Sequence, residues 1–566
     1  MSMETVPEDR PADTEANPAA DTASDRPARS IEGEATPTSV RGLLARTSPA
    51  GFLLALAIAI VPLVHTSLVA HPYWGPKAAI ALLLVPAGLV ALVRAARAGD
   101  RAARLGIVFL LLATVSALRA DKVVLSVLGA PNVGNGLLFF AGLVGTWALV
   151  RTAAASTRRA VRAGLVWSGV VSSLLAWSAV VGGWPVLAEG ARADGFAGNA
   201  VHLGAIGAST AIVLAHALVT RQYRNRLVAV GGVVLAAGAV QFSGSRSGVL
   251  ALVPGLVWLA ARYRRQAASG VVAALGGLVG ASVLSTLLGT SSIAGRVGAE
   301  GIADSVRPTI WRAAIASAQH HLWWGSGPGR AAPAIARQMS SAICTSYRVD
   351  DVHNVGLQLL VNVGVIGTVG ALVWVFATLR RARGELVWAA VALVAVACLQ
   401  PLSIVTVLSL AALLALAAPS IALPTLGRPG TFAIGAATVP AVIAVVVFLI
   451  GDAALKQANY AADPVAYATA HRLLPPWPEV SAIGVKANIL DSRTKAMASA
   501  LEAVRRSPDE ALGWTRVAAL EANAGATADA ERDFLHALAL DPAELEAKNS
   551  LDSMGQRPPS CPLPGR

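Results

Sequence analysis

The chain has 566 residues, 55% of them hydrophobic and only 14% charged, where an ordinary soluble domain carries about 25% charged residues. That deficit, with its long apolar runs, puts the protein in the membrane class and excludes a single soluble globule. The net charge is +13, but the basic residues sit in short clusters between apolar runs, which points to membrane topology and away from nucleic-acid binding.

Residues 1–48 are rich in Pro, Ala, Thr, Asp and Glu and nearly free of large apolar side chains. Such a segment cannot bury enough surface to offset its ordering entropy, so it is expected to be a disordered cytoplasmic tail. It also lacks the basic start and short apolar run of a cleaved signal peptide.

From Gly51 onward, apolar runs recur that are long enough to cross roughly 30 Å of hydrocarbon as helices. The pattern predicts spans near 50–69, 77–93, 105–118, 134–150, 163–183, 199–219, 227–243, 247–261, 270–288, 354–379, 386–401, 403–419 and 432–450. The expected fold is all-α, a multi-pass integral membrane domain over residues 49–450 with about 12–13 transmembrane helices.

Arginine clusters test this count, because positive charge favours the cytoplasmic side. They occur at Arg41/Arg46, Arg94/Arg97/Arg101/Arg104, Arg151/Arg158/Arg159/Arg162, Arg221/Arg224/Arg226, Arg262/Arg264/Arg265 and Arg380/Arg381/Arg383, with a lone Arg428 last, each after every second span. The N-terminus is then inside, and a large loop over 289–353 is outside. Thirteen spans also place the C-terminal region outside, whereas a single crossing by 386–419 would place it in the cytoplasm.

Residues 451–557 read as a small, soluble, helical domain. Trp514, Ala518, Gly525, Ala530, Phe534, Ala537 and Pro542 fall at tetratricopeptide-repeat positions, and Pro508 precedes Pro542 by 34 residues, the period of that repeat. One good and one degraded repeat fall short of the three an independent solenoid usually needs. Residues 455–495 are therefore expected to supply further helices, and the whole to act as a docking module. Residues 558–566 are expected to be a flexible tail. The three cysteines, Cys344, Cys398 and Cys561, form no CxxC pair, which disfavours a zinc or redox motif. A Cys344–Cys561 disulfide stays open if both lie outside the cytoplasm.

Ionisable groups deep in a membrane mark ion and proton paths. The predicted spans hold almost none beyond His65, His202 and His216, which weighs against a coupled transporter and against a flippase with a polar path. His202 and His216 read as packed or interfacial. Polar residues gather instead at the outer ends of spans. The first group, RADGFAGNAVHLG, carries Arg192, Asn199 and His202. The second is the turn FSGSRSG, with hydroxyls at Ser243, Ser245 and Ser247 around Arg246. The third spans the large loop, with Arg307, Trp311, Arg312 and the turn Gly325–Ser326–Gly327, and closes on Asp350, Asp351, His353 and Asn354. Asp350, Asp351 and His353 match no usual zinc spacing.

These segments resemble the O-antigen ligase and polymerase family. FSGSRSGVL is similar to its Ser-Arg motif, VRPTIWRAAI…HHLWWGSGPG to its Arg-x3-Trp helix and Gly-x-Gly turn, HNVGLQLLVNVGVIG to its His-Asn motif opening a span, and GFAGNAVHLG to its Gly-Asn segment. The motifs keep the family's order over residues 100–380. A second Asn usual in the Gly-Asn segment is replaced by Val201, and a thirteenth span with a repeat domain is a variation.

The resemblance implies a GT-C type, inverting, metal-independent glycosyltransferase of the inner (plasma) membrane, with no cofactor and no nucleotide sugar. It would move a glycan from an undecaprenyl-diphosphate carrier to an acceptor hydroxyl on the extracytoplasmic face. The partners so implied are the lipid-linked glycan donor, a glycan or lipid acceptor, membrane lipids, and a protein partner for the repeat domain. A polymerase of lipid-linked repeat units is the alternative, and a flippase or exporter a second one. Departure of a lipid diphosphate leaves negative charge that fixed cations must meet, and arginine pairs with phosphate oxygens while staying protonated. Arg246 and Arg307 are the expected diphosphate contacts, with Arg312 auxiliary. His353 is the expected general base for the acceptor. Asp350 or Asp351 would orient its ring, Asn354 would position the acceptor or cap the helix, and Asn199 would bind substrate.

Overall fold

In this computed structural model each of the thirteen predicted spans overlaps a helix, although the first, expected over 50–69, is helical only to Ile60 and continues as turns. The helices are Pro49–Ile60, Gly75–Arg97, Arg101–Leu118, Leu137–Thr152, Ala155–Gly182, Ala200–Val219, Arg226–Phe242, Arg246–Tyr263, Ala268–Leu287, Val355–Leu379, Glu385–Ala397, Ile404–Ala417 and Arg428–Ala461. The structure describes residues 46–129, 135–183, 188–189, 192–223, 225–289, 306–341, 349, 351–400, 403–424 and 428–556. Nearly all of the N-terminal tail, the C-terminal tail, Cys344, Asp350 and Cys561 lie outside the described residues.

Among the described residues, seven helical stretches are long and apolar enough to cross a membrane, and five shorter apolar helices account for the other predicted spans. One of the seven, Arg246–Leu287, turns through the 3-10 segment Arg264–Ala267 and so holds two of the predicted spans. Among the described residues the strands are limited to Ala188–Glu189 and Arg192–Ala193. The protein is an all-α multi-pass membrane protein.

Small residues let these helices approach closely, as packing in lipid requires. A Cβ on Gly88 would lie 2.6 Å from the Gly145 backbone, so Gly75–Arg97 and Leu137–Thr152 touch main chain to main chain. Ala200–Val219 is buried along almost its whole length and forms the centre of the bundle, packed on Arg226–Phe242, Arg246–Tyr263 and Glu385–Ala397.

Buried arginine stitches one end of the bundle. The Arg158 guanidinium donates to the carbonyls of Val150 and Ala415 at 3.1 Å each, Leu416 at 3.1 Å and Ala418 at 2.7 Å. It thereby binds carbonyls at the C-terminal ends of two helices, where a cation is also favoured by the helix dipole. At the same end Arg162 pairs with Glu385 at 2.8 Å, and His216 lies 3.4 Å from the same carboxylate. His216 is thus packed, as expected, and in contact with charge.

Among the described residues six helices follow the last apolar one: Pro464–Leu473, Pro478–Ile489, Arg493–Arg506, Ala511–Ala522, Thr527–Leu540 and Leu545–Ser553. Ala518, Ala530, Phe534 and Ala537 are buried together in one cluster. These helices touch the segment 306–341 directly. Arg330 pairs with Asp509 and Glu510, and Lys548 donates to the Ser341 carbonyl. Four apolar helices separate the two segments, and an even number of crossings returns the chain to the same end. The Glu385–Ala397 and Ile404–Ala417 pair therefore folds as a hairpin and not as one crossing.

Candidate functional site

The end opposite the Arg158 stitch carries the polar residues singled out in the sequence. Asp351, Val352 and His353 form a tight turn ahead of the Val355–Leu379 helix. The His353 N–H donates to Asp351 Oδ1 at 2.6 Å, and the turn holds His353 at φ +52°, a left-handed conformation that side chains with a Cβ rarely adopt. Such strain persists only where surrounding contacts over-determine it, and it clusters at functional sites. Here Val352 supplies those contacts. Its N–H donates to Gln358 Oε1 at 2.8 Å, its carbonyl accepts from the Trp311 indole at 3.1 Å, and its side chain is fully buried.

The imidazole is oriented from one side. His353 Nδ1 lies 2.9 Å from Asp351 Oδ1 and 3.1 Å from Gln400 Oε1. Both neighbours are acceptors, so the Nδ1 position carries the proton and the lone pair of the neutral ring sits on Nε2. The side chain is 34% exposed. Burial alone would lower its pKa, but the bond to Asp351, the Asp351 charge and the Gln400 contact together raise it above the ordinary histidine value, against the charge of Arg307.

Asn354 is spent on structure. Its Oδ1 caps the helix by accepting from the Leu357 N–H at 3.0 Å, and its amide donates to the Cys398 carbonyl at 2.9 Å. Of the two roles expected for it, the structure displays the cap. Asn199 does the same for the Ala200–Val219 helix, accepting from the Val201 N–H at 2.8 Å. Arg312 is exposed and donates to the Pro308 carbonyl of its own helix at 3.3 Å.

The turn holding Arg246 packs on the first turn of that central helix: a Cβ on Gly204 would lie 2.7 Å from the Ser245 side chain. Ser245 caps the Arg246–Tyr263 helix by accepting from the Gly248 N–H, and Arg192 donates to the Ser243 carbonyl at 3.0 Å. Arg246 is half-buried at the helix start. His202 faces the same region, 3.3 Å from Ser403 Oγ and within reach of the Asp351 and Lys77 charges. The Asn199, Arg246 and His353 segments thus converge on one end of the central helix. The charge of Arg307, at the start of the Arg307–His320 helix, reaches His353.

The GSG turn has a structural task that its sequence only hints at. The Val355–Leu379 helix breaks at Gly364, with φ +66°. Residues 322–327 fill the break. Ser326 and Gly327 donate to the Val361 and Asn362 carbonyls at 2.8 and 3.0 Å, and Val365 and Ile366 donate to Leu322 and Trp323 at 2.8 and 3.3 Å. Ser116 Oγ closes the junction on the Trp324 and Asn362 carbonyls. Broken backbone at membrane depth is tolerated only when protein re-satisfies it in this way.

Sequence reading passed over two residues. Lys77 stands at the edge of a predicted span, yet it is fully buried, donates to the Phe196 carbonyl at 2.6 Å and lies near the Asp194 charge. A lone lysine among apolar residues was the available signal. Gln400 gave no signal, since its contact with His353 spans 47 residues. A cavity of about 590 Å³ does not open on these groups: it lies between Ala332, Ala336 and Val349 on one side and the C-terminal helices on the other.

Residues 231–372 match the family model for O-antigen ligase. The match takes in Arg246, Arg307, Arg312, Asp351, His353 and Asn354, and it leaves out Lys77, Asn199 and the C-terminal helices. No curated protein matches the chain. The segment holding the Ser-Arg turn, the broken helix and the strained histidine is thus similar to the O-antigen ligase domain over residues 231–372.

Proposed function

We propose that the protein transfers an oligo- or polysaccharide from a polyprenyl diphosphate, of the undecaprenyl type, to an acceptor hydroxyl on the extracytoplasmic face of the inner membrane. The orientation of His353 carries this reading. With Nδ1 held by Asp351 and Gln400, Nε2 takes the acceptor proton while the hydroxyl oxygen attacks the anomeric carbon. The sugar–phosphate bond breaks on the opposite side, and configuration inverts. The leaving diphosphate takes the electron pair, and Arg246 and Arg307 stabilise its growing charge without a metal. Arg312, exposed and one turn along from Pro308, would guide the lipid-linked donor toward Arg307. Asn199, Asn354 and Asp351 shape the site as caps and as the ring's anchor. The alternating arginine clusters support a cytoplasmic N-terminus and an outward-facing site.

Joining repeat units to one another uses the same groups, so a polymerase differs only in its acceptor. The test is a deletion strain complemented with Arg246→Ala, Arg307→Ala and His353→Ala, with surface glycan and lipid-linked intermediates followed on each membrane face. Ligase chemistry predicts full-length donor accumulating outside. Polymerase chemistry predicts single repeat units outside, and a flippase predicts donor trapped inside.

A further inference from the structure

The C-terminal helices lie against the segment that positions His353, and the contact is built from buried groups. Arg330 is 5% exposed and pairs with Asp509 and Glu510, and Arg337 adds a contact to Asp509 at 3.7 Å. Lys548, 2% exposed, donates to the Ser341 carbonyl. Ala543 is buried in one cluster with Ile310 and Ala314 of the Arg307–His320 helix and with Val352. Val352 is the residue next to His353, and it is the hub through which the φ +52° turn is held.

Two routes therefore run from the C-terminal helices to the histidine. Ala543 packs into the same buried cluster as Val352. Arg330 acts through the GSG turn: its own N–H donates to the Gly327 carbonyl, and the Gly327 N–H donates to the Asn362 carbonyl of the broken helix. A left-handed histidine needs contacts that over-determine it, and part of that determination comes from outside the membrane domain.

We infer that the C-terminal helical domain is an intramolecular brace that holds His353 in its strained, Asp351-bonded conformation, with Arg330 and Ala543 as positioning residues. The domain then governs how well the base is aimed, beyond any docking role. The inference rests on the reading of His353 as base for its kinetic arm alone.

The test uses the full-length protein in lipid nanodiscs with Arg330→Gln, and with Arg330→Asp combined with Asp509→Arg to exchange the charges. Hydrogen exchange is read over residues 349–361 and over the central helix. Transfer is read as a pH profile with KM and kcat separated. The brace predicts at least a tenfold rise in exchange over 349–361 in Arg330→Gln, with the central helix unchanged. It also predicts a lowered kcat at constant donor KM, an acid limb moved down toward ordinary histidine, and recovery in the charge exchange. Should Arg330→Gln fail to fold, Asp509→Asn tests the same contact from the other partner. Wild-type exchange over 349–361 in a folded variant overturns the inference. Raised exchange with no kinetic effect keeps the brace and removes His353 from the chemistry, so the two readings fail separately.

Discussion

One oxygen of Asp351 meets His353 twice: Oδ1 accepts the histidine's backbone N–H at 2.6 Å and lies 2.9 Å from its Nδ1. The same carboxylate therefore bends the backbone into its left-handed turn and fixes the ring's proton on Nδ1. Ring orientation by a neighbouring carboxylate is how histidine bases are commonly aimed.

That pairing sets a pH dependence. The His353 pKa is raised above the ordinary value, and a base must be neutral, so transfer increases as pH rises through the raised value. Asp351→Asn removes the charge and moves the acid limb of kcat/KM to lower pH, while cutting the rate through loss of aim. A limb that does not move in Asp351→Asn contradicts the assignment.

On the proposed chemistry, Arg246→Ala and Arg307→Ala each remove a cation from the leaving diphosphate. Losing one such stabilising group costs about 10²–10³ in rate. Lysine at either place restores charge without the planar fork, so partial recovery is expected. Arg312→Ala, at an exposed position, is expected to raise donor KM and leave kcat nearly unchanged.

Gly364→Ala probes the broken helix. The residue has φ +66°, and its Cβ would lie 2.4 Å from the Trp323 backbone, so the turn 322–327 must lift away. Strain of this kind costs about 1–3 kcal/mol, read as a lower unfolding temperature together with lost transfer. Gly231→Ala, on an open helical face, is the matched control and should be near neutral.

A second buried pair joins the membrane domain to the C-terminal helices. His71 Nδ1 lies 2.7 Å from Asp452, Nε2 lies 3.7 Å from Glu479, and Trp74 and Trp477 pack on the ring. Burial lowers its pKa, but Asp452 and Glu479 outweigh burial and raise it to about 9. The folded value exceeds the unfolded one, so this contribution to stability is whole below about pH 6.5 and is lost as pH rises through 9. Tryptophan fluorescence during thermal unfolding should show the loss over that window, and His71→Gln should flatten it.

Much of this architecture was legible in the sequence, because hydrocarbon thickness dictates span length and arginine placement dictates parity. All thirteen runs overlap helices, though the first stays helical only to Ile60 and five of the helices are short. The short Glu385–Ala397 and Ile404–Ala417 helices were the hardest to separate, since only Gln400, Pro401 and Ser403 interrupt the apolar stretch between them. At the site, Arg246, Arg307 and His353 stood out as polar residues at helix ends. Gln400 and the hold on Val352 did not, because both depend on contacts between distant segments. Asn199 and Asn354 drew notice as polar residues, yet their immediate hydrogen bonds are those of helix caps, a local pattern that a substrate contact does not need. The expected tails, Asp350 and the Cys344–Cys561 pair fall outside the described residues.

The most direct measurement is single-turnover transfer by purified, nanodisc-held protein given a polyprenyl-diphosphate-linked glycan and a hydroxyl acceptor. Wild type should transfer the glycan with inverted anomeric configuration, and His353→Ala should bind donor normally while transferring about 10²–10⁴ times more slowly. A His353→Ala protein that transfers at the wild-type rate would contradict the account.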